Sequence, residues 1–281
     1  MSPDVSERRL AVLRVLVASY AAVWSLVRAP ALLSPRDFAD RRFDPVGPLG
    51  WLSEPFPDLF LLGLVAFTPI SCAVFAVGRL PKISGPAAAS AFLLITTYRN
   101  SWGQLFHTEN LVALHLIVLA VAMHIARDRR WTIDVMAVCT VGTYVVAGIA
   151  KIRISGLAWL DGDVLSHQIA FDNARKELLG DASSPFAGWF LRQSWLLGPA
   201  AVATLVIELG APLALLGRRW ALSWSSMALI FHVAITVFMA ILFPYHLLGI
   251  SFAPLLPVEH FDRWFAQARK AAPLNKLLPA P

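Results

Sequence analysis

Three side chains in this sequence have the type and setting to move protons: Lys151, His232 and His107, each at or inside the end of a long apolar run. A lysine held in a dry cleft loses its charge readily and then acts as a base. Gly148 and Tyr144 lie three and seven residues before Lys151 on one helical face, leaving room and a hydroxyl beneath its stem. The competing reading is an interfacial lysine that snorkels to headgroups. His232 follows Arg219 by thirteen residues within an apolar run, so a helix carries it roughly 20 Å from that arginine. Its competing reading is a structural imidazole bridging two helices. His107 and Asn110 share a face, or they only open a helix with Thr108 as its N-cap. Arg99 clamps a ligand oxygen or anchors the outer edge. Glu208 is the costliest charge in the chain if ionised, expected either protonated or paired with a partner the sequence does not name. His115 and His124 read as packing or cytoplasmic-edge residues.

These groups need elements to hold them. The chain has 281 residues, 57% hydrophobic and 15% charged, with mean hydropathy +0.63. A soluble domain carries about 25% charged residues. Uncharged gaps of roughly 17–20 residues predict an all-α, polytopic transmembrane bundle of about eight spans. The expected spans are 10–27, 56–77, 83–98, 108–126, 132–150, 199–217, 220–241 and 243–257. Short connections on the N-terminal side carry Arg79 with Lys82, Arg127 with Arg129 and Arg130, and Arg218 with Arg219. Short basic loops face the cytoplasm, so both termini are expected there, in the cell's inner membrane. Residues 1–257 form the membrane domain, with extracytoplasmic connections 28–55 and 151–198. Residues 258–281 are expected as a Pro/Ala-rich cytoplasmic tail.

In this topology "TTYRNSWGQLFHTENLVALHL" brings Arg99, Asn100, Trp102, Gln104 and His107 to the outer edge, where Lys151 and "FPYHL" also emerge. Within 151–198, Leu160, Val164, Leu165 and Ile169 fall near helical spacing ahead of Gly180, which predicts an amphipathic surface helix. Connections 28–55 and 151–198 are each expected to cap the bundle from outside, and "RRFDPVGPLGW" reads as a turn-rich re-entry with Trp51 at the interface. The net charge of +6 is spread singly and in pairs, which excludes a nucleic-acid stripe. Cys72 and Cys139 sit in apolar segments without ligand spacing and read as small hydrophobes. No P-loop, GxGxxG, HExxH or nucleophile elbow is present, and no metal site assembles. No cleavable signal peptide is expected.

Four stretches, "RRFDPVGPLGWL", "YRNSWGQLFHTENLVALHL", "YVVAGIAKIRISGLAWLDGD" and "FHVAITVFMAILFPYHLLGISFAPLLP", resemble the HTTM family. This family comprises the membrane domain of vitamin K-dependent γ-glutamyl carboxylase and its bacterial relatives. The set A-G-x-x-K, W-x-x-G-D, F-H and F-P-Y carries the resemblance. It implies a quinol-dependent carboxylase- or epoxidase-like lyase. A reduced quinone, menaquinol or vitamin K-like, is held at the outer side. Lys151 is its base, His107 a polar partner, and His232 a stabiliser of oxyanion charge. Arg99, Trp102, Tyr144, Trp159 and Tyr245 are the implied substrate- or quinone-binding residues. No counterpart of the carboxylase's large lumenal propeptide-binding region is expected in residues 258–281, so the expected chemistry is quinone- or lipid-linked. The alternative is a non-catalytic maturation or export factor for a small secreted peptide, as in the sporulation-delaying protein SdpB family. Expected partners are membrane lipid, quinone and a small exported peptide or partner protein, with no nucleic acid.

Overall fold

The computed structural model describes residues 3–125 and 130–261. Arg127, Arg129 and most of the expected tail 258–281 lie outside the described residues. Among those described, every regular element is a helix or 3-10 turn. In chain order the helices are α1 Pro3–Val27, α2 Ala29–Leu33, α3 Asp58–Ala76, α4 Pro81–Asn100, α5 Asn110–Ala122 and α6 Arg130–Ser155. They continue as α7 Asp163–Leu178, α8 Ala187–Leu191, α9 Ser194–Leu209, α10 Arg218–Met239 and α11 Pro244–Leu247. Four helical stretches among the described residues are long and apolar enough to cross a membrane: Val5–Val27, Asp58–Ala76, Arg130–Trp159 and Arg218–Met239. α4 has 20 residues, but Lys82, Arg99 and its serines and threonines dilute its apolar character. α5, with 13 residues, is only about 20 Å long, and α9, with 16, about 24 Å, against a hydrocarbon core near 30 Å.

One expected span is corrected. Residues 243–257 form no continuous rod: α11 has four residues, and a 3-10 stretch Ile250–Leu255 follows after Gly249. Pro244 and Pro254 cannot donate into a helical ladder, which breaks the apolar run into two short pieces. A second correction concerns the entry to α5. Glu109, not Thr108, is its N-cap, and no side chain caps that end.

The chain divides into two compact units, Met1–Met136 with Pro257–Pro281, and Ala137–Leu256. The first packs α1, α3, α4 and α5 alternately up and down. Gly78, just past α3, abuts the Arg14 side chain of α1, and Gly85 at the start of α4 meets Phe75 of α3 and Ala120 near the end of α5. Glu259 comes within 4.0 Å of Arg9, so the chain near residue 259 returns to the N-terminal end of α1. At the opposite end the 34–57 connection packs on this bundle. Asp44 N–H donates to the Ser101 carbonyl at 2.8 Å, and Phe56 stacks on Tyr98 at 4.6 Å.

In the second unit α7 is the surface helix that the 160–169 spacing predicts, ending two residues before Gly180. Ile169 is buried and packs with Ala187, Phe190 and Leu197. The segment from α7 to α8 also grips the end of α10. The last carbonyls of any helix lack partners inside it. Here Asn173 donates to the Phe238 carbonyl at 3.1 Å, the Lys176 ammonium donates to Met239, and the Ser184 hydroxyl donates to Val237. Lys176 is also paired with Asp172 at 2.6 Å, and its charge opposes the negative end of the α10 dipole. α10 then stops at Ala240, whose left-handed φ of 50° turns the chain toward α11.

Candidate functional site

The second unit brings Lys151 and Glu208 together. Lys151 stands in the last turns of α6, and its Nζ lies 2.5 Å from Glu208 Oε1 at the end of α9. Glu208 is the more deeply placed partner, with 3% of its side chain exposed against 22% for Lys151. Its other oxygen, Oε2, is buried and has no hydrogen-bond partner. The close approach of α9 to α6 depends on Gly148. A Cβ there would stand 2.8 Å from Leu209 Cδ2 and 3.1 Å from Glu208 Cβ. Only a bare glycine leaves that space to the glutamate stem.

Trp159 completes this corner. It sits in the 3-10 turn Gly156–Trp159 and is almost fully buried. Its indole N–H donates to the Ala201 carbonyl at 3.0 Å, with Thr204 Oγ1 also in reach at 3.2 Å. The Lys151 ammonium lies 5.3 Å from the centre of its ring, within the range of a cation–π contact. The turn is locked by Gly162, the glycine of W-x-x-G-D. With φ of +84° it is left-handed, and a Cβ would fall 2.4 Å from the Leu197 carbonyl carbon. Beside Lys151 a cleft of about 270 Å³ opens, lined by Ala147, Ala150, Ile154, Ser155, Trp159 and Gln168.

Two turns below Lys151 on α6, the Tyr144 hydroxyl meets His232 Nε2 at 2.7 Å. His232 is 5% exposed and its Nδ1 is buried without a partner. His246 of α11 stacks on it at 4.2 Å, and the rings of Phe243 and Phe231 lie at 4.9 and 5.4 Å. Tyr245 is buried and meets His246 edge-on at 6.2 Å. Thr140 on α6 holds the turn after α11 through the Ser251 carbonyl at 2.8 Å. No family model, curated protein or solved structure matches this chain.

Of the residues singled out from sequence, Lys151, Tyr144, Trp159, His232 and Tyr245 thus fall in the second unit. The first unit holds Arg99, Trp102 and His107. Arg99 lies over the Phe106 ring at 3.6 Å. Trp102 is buried against Phe38, Phe43 and Tyr98. His107 is exposed, at the end of a loop that Asn100 pins by bonding both the N–H and the carbonyl of Phe106. His115 and His124 take the structural places expected of them, bonded to the carbonyls of Met136 and Ala120. Sequence reasoning left Glu208 without a partner and passed over His246. That histidine follows His232 by fourteen residues across a proline turn, where no helical period relates the two. The only signal was its place in "FPYHL".

Proposed function

We propose that this chain is an integral inner-membrane protein of the HTTM type with cytoplasmic termini, and that its Lys151 cleft receives a reduced quinone. The apolar helices support the membrane setting. The approach of Glu259 to Arg9 at 4.0 Å supports reading residue 259 and the start of α1 on one side. The single observation that carries the site is the Lys151–Glu208 pair opening onto a cleft. At about 270 Å³ the cleft suits a ring system rather than a long chain, since drug-sized sites start near 300 Å³. Its amine, the Gln168 amide and the Ser155 hydroxyl suit ring oxygens, and its apolar walls suit a planar face.

When bound, a reduced quinone supplies an acidic hydroxyl and two electrons. In the neutral form of the pair, with the shared proton on Glu208, the Lys151 amine is free to take the hydroxyl proton. Glu208, buried behind it, holds the resulting ammonium in place and keeps it from dispersing into solvent. Trp159 fixes the stem of Lys151 from the side. Removal of water by the apolar lining strengthens each of these interactions. A second reading draws on the same geometry. Lys151 with Glu208, and Tyr144 with His232, satisfy one another inside the bundle. A non-catalytic maturation factor for an exported peptide would need no more.

The test is purified protein with menaquinol under oxygen, followed by chromatographic assay of quinone products. Turnover by wild type that is lost in Lys151→Ala supports the enzyme. No wild-type turnover, or equal turnover in Lys151→Ala, rejects it. In that case His232→Ala would lower stability alone, as a maturation factor requires.

A further inference from the structure

The surface helix α7 has two sides, and only one packs on its unit. Ile169, Asn173 and Lys176 are buried. With a helical period of about 3.6 residues, Phe171 and Leu178 fall on the opposite side, where they are 71% and 87% exposed. Leu179, Phe186, Trp189 and Trp195, which follow in the chain, are exposed as well. Single exposed apolar residues are ordinary, but a run of large ones in one segment marks a surface that something covers. We propose that the outward side of α7 and α8 lies in the bilayer interface, so that lipid covers it and the Lys151 cleft opens at headgroup level.

Two observations choose lipid over another protein. The first is height. Asn173, Lys176 and Ser184 bond the carbonyls of Phe238, Met239 and Val237 in the last turn of α10. α10 has 22 residues, about 33 Å, against a hydrocarbon core near 30 Å. Its last turn therefore stands at a membrane edge, and α7 and α8 are tied to that edge. The inference rests on the membrane reading of α10 and is independent of the quinone reading. The second observation is composition. Trp189 and Trp195 each join an apolar ring to an N–H that needs a wet partner, which is why indoles gather at membrane interfaces. The exposed Arg192 lies beside them, its Nη1 3.5 Å from where a Cβ on Gly188 would stand, and a guanidinium there meets lipid phosphates. Gln168 carries this surface to the site: it lines the cleft and precedes Phe171 by three residues, next to it on the helix. An amphiphile arriving from the leaflet reaches the amine without crossing bulk water.

The experiment is electron paramagnetic resonance of the full chain in phosphatidylethanolamine–phosphatidylglycerol vesicles with no quinone added. Cys72 and Cys139 are replaced by alanine, and a nitroxide is attached through Phe171→Cys, Leu178→Cys or, as a reference on the exposed side of α10, Ile230→Cys. Phe186→Cys takes the place of either α7 site if that variant does not fold. Collisions with oxygen, which concentrates in lipid, are compared with collisions with a nickel chelate, which stays in water. At 171 and 178 oxygen should prevail by about threefold, as fits the roughly 5–10 Å depth of an interfacial helix, with a larger ratio at 230. Nickel prevailing at 171 and 178 while oxygen prevails at 230 overturns the proposal and leaves the membrane reading standing. Nickel prevailing at 230 as well removes the membrane reading, and the proposal with it. Exclusion of both reagents at 171 and 178 overturns it too, and dipolar broadening between labels would then assign the surface to a second copy of the chain.

Discussion

The unequal burial of Lys151 and Glu208 makes a sharp prediction about which partner the fold tolerates losing. Lys151→Met leaves a carboxylate with 3% of its side chain exposed and no partner on either oxygen. Breaking a buried pair in this way costs about 3–5 kcal/mol. Glu208→Gln leaves an ammonium that is 22% exposed and still lies over Trp159. The glutamine oxygen can still accept from it, so the loss is that of one charged hydrogen bond, about 1.5–3 kcal/mol. The double variant Lys151→Met with Glu208→Leu removes both charges and both desolvation penalties. Replacing such a pair by apolar side chains is neutral or stabilising by about 1–4 kcal/mol. Equilibrium unfolding in mixed micelles, followed by tryptophan fluorescence, ranks the variants. The expected order of stability is the double variant at or above wild type, then Glu208→Gln, then Lys151→Met. If Lys151→Met is no worse than Glu208→Gln, or if the double variant loses the sum of the two singles, the pair is not buried as described.

Three further outcomes follow from other contacts. Gly162→Ala places a methyl against the Leu197 backbone at a left-handed φ, and should lower the unfolding midpoint by more than Gly156→Ala, which is also left-handed but meets open space. Lys176→Met leaves the Met239 carbonyl without this donor and Asp172 with Arg175 alone; at about 1.5–3 kcal/mol for a lost charged hydrogen bond, amide exchange at the end of α10 should rise well before global unfolding. Asn100→Ala removes both bonds to Phe106, about 1 kcal/mol each, and limited proteolysis should then cut in the 101–107 loop with the bundle intact.

The long apolar helices were legible because their signal is additive: α1, α3, α6 and α10 each sum many apolar residues with few charges, and their expected limits lie within a few residues of the observed ones except at the first end of α1. The 243–257 segment is also free of charged residues but carries Pro244 and Pro254, whose backbone limits outweigh apolar character. The surface helix α7 was legible because Ile169 and its neighbours repeat at helical spacing. Lys151 and His232 stood out because an ionisable group in an apolar run is expensive and needs a reason. Their partners did not stand out. Glu208 and Lys151 are 57 residues apart, and Tyr144 and His232 are 88 apart; pairing across such distances is decided by which helices pack together, and no local pattern records it. His246 was hidden for the same reason.

The grip of α7 on α10 has a consequence for how the chain assembles. Val237, Phe238 and Met239 receive their hydrogen bonds from residues 53 to 65 positions earlier. Synthesis from the N-terminus delivers those donors first, so a waiting receptor exists before the acceptors arrive. The bend at Ala240 has local bonds, from its N–H to the Thr236 carbonyl and from the Thr236 hydroxyl to the Ile241 carbonyl, but the three carbonyls just before it draw on that distant stretch. Cutting the 173–184 stretch should therefore loosen the last turn of α10, and with it the seating of His246 against His232, before the rest of the unit.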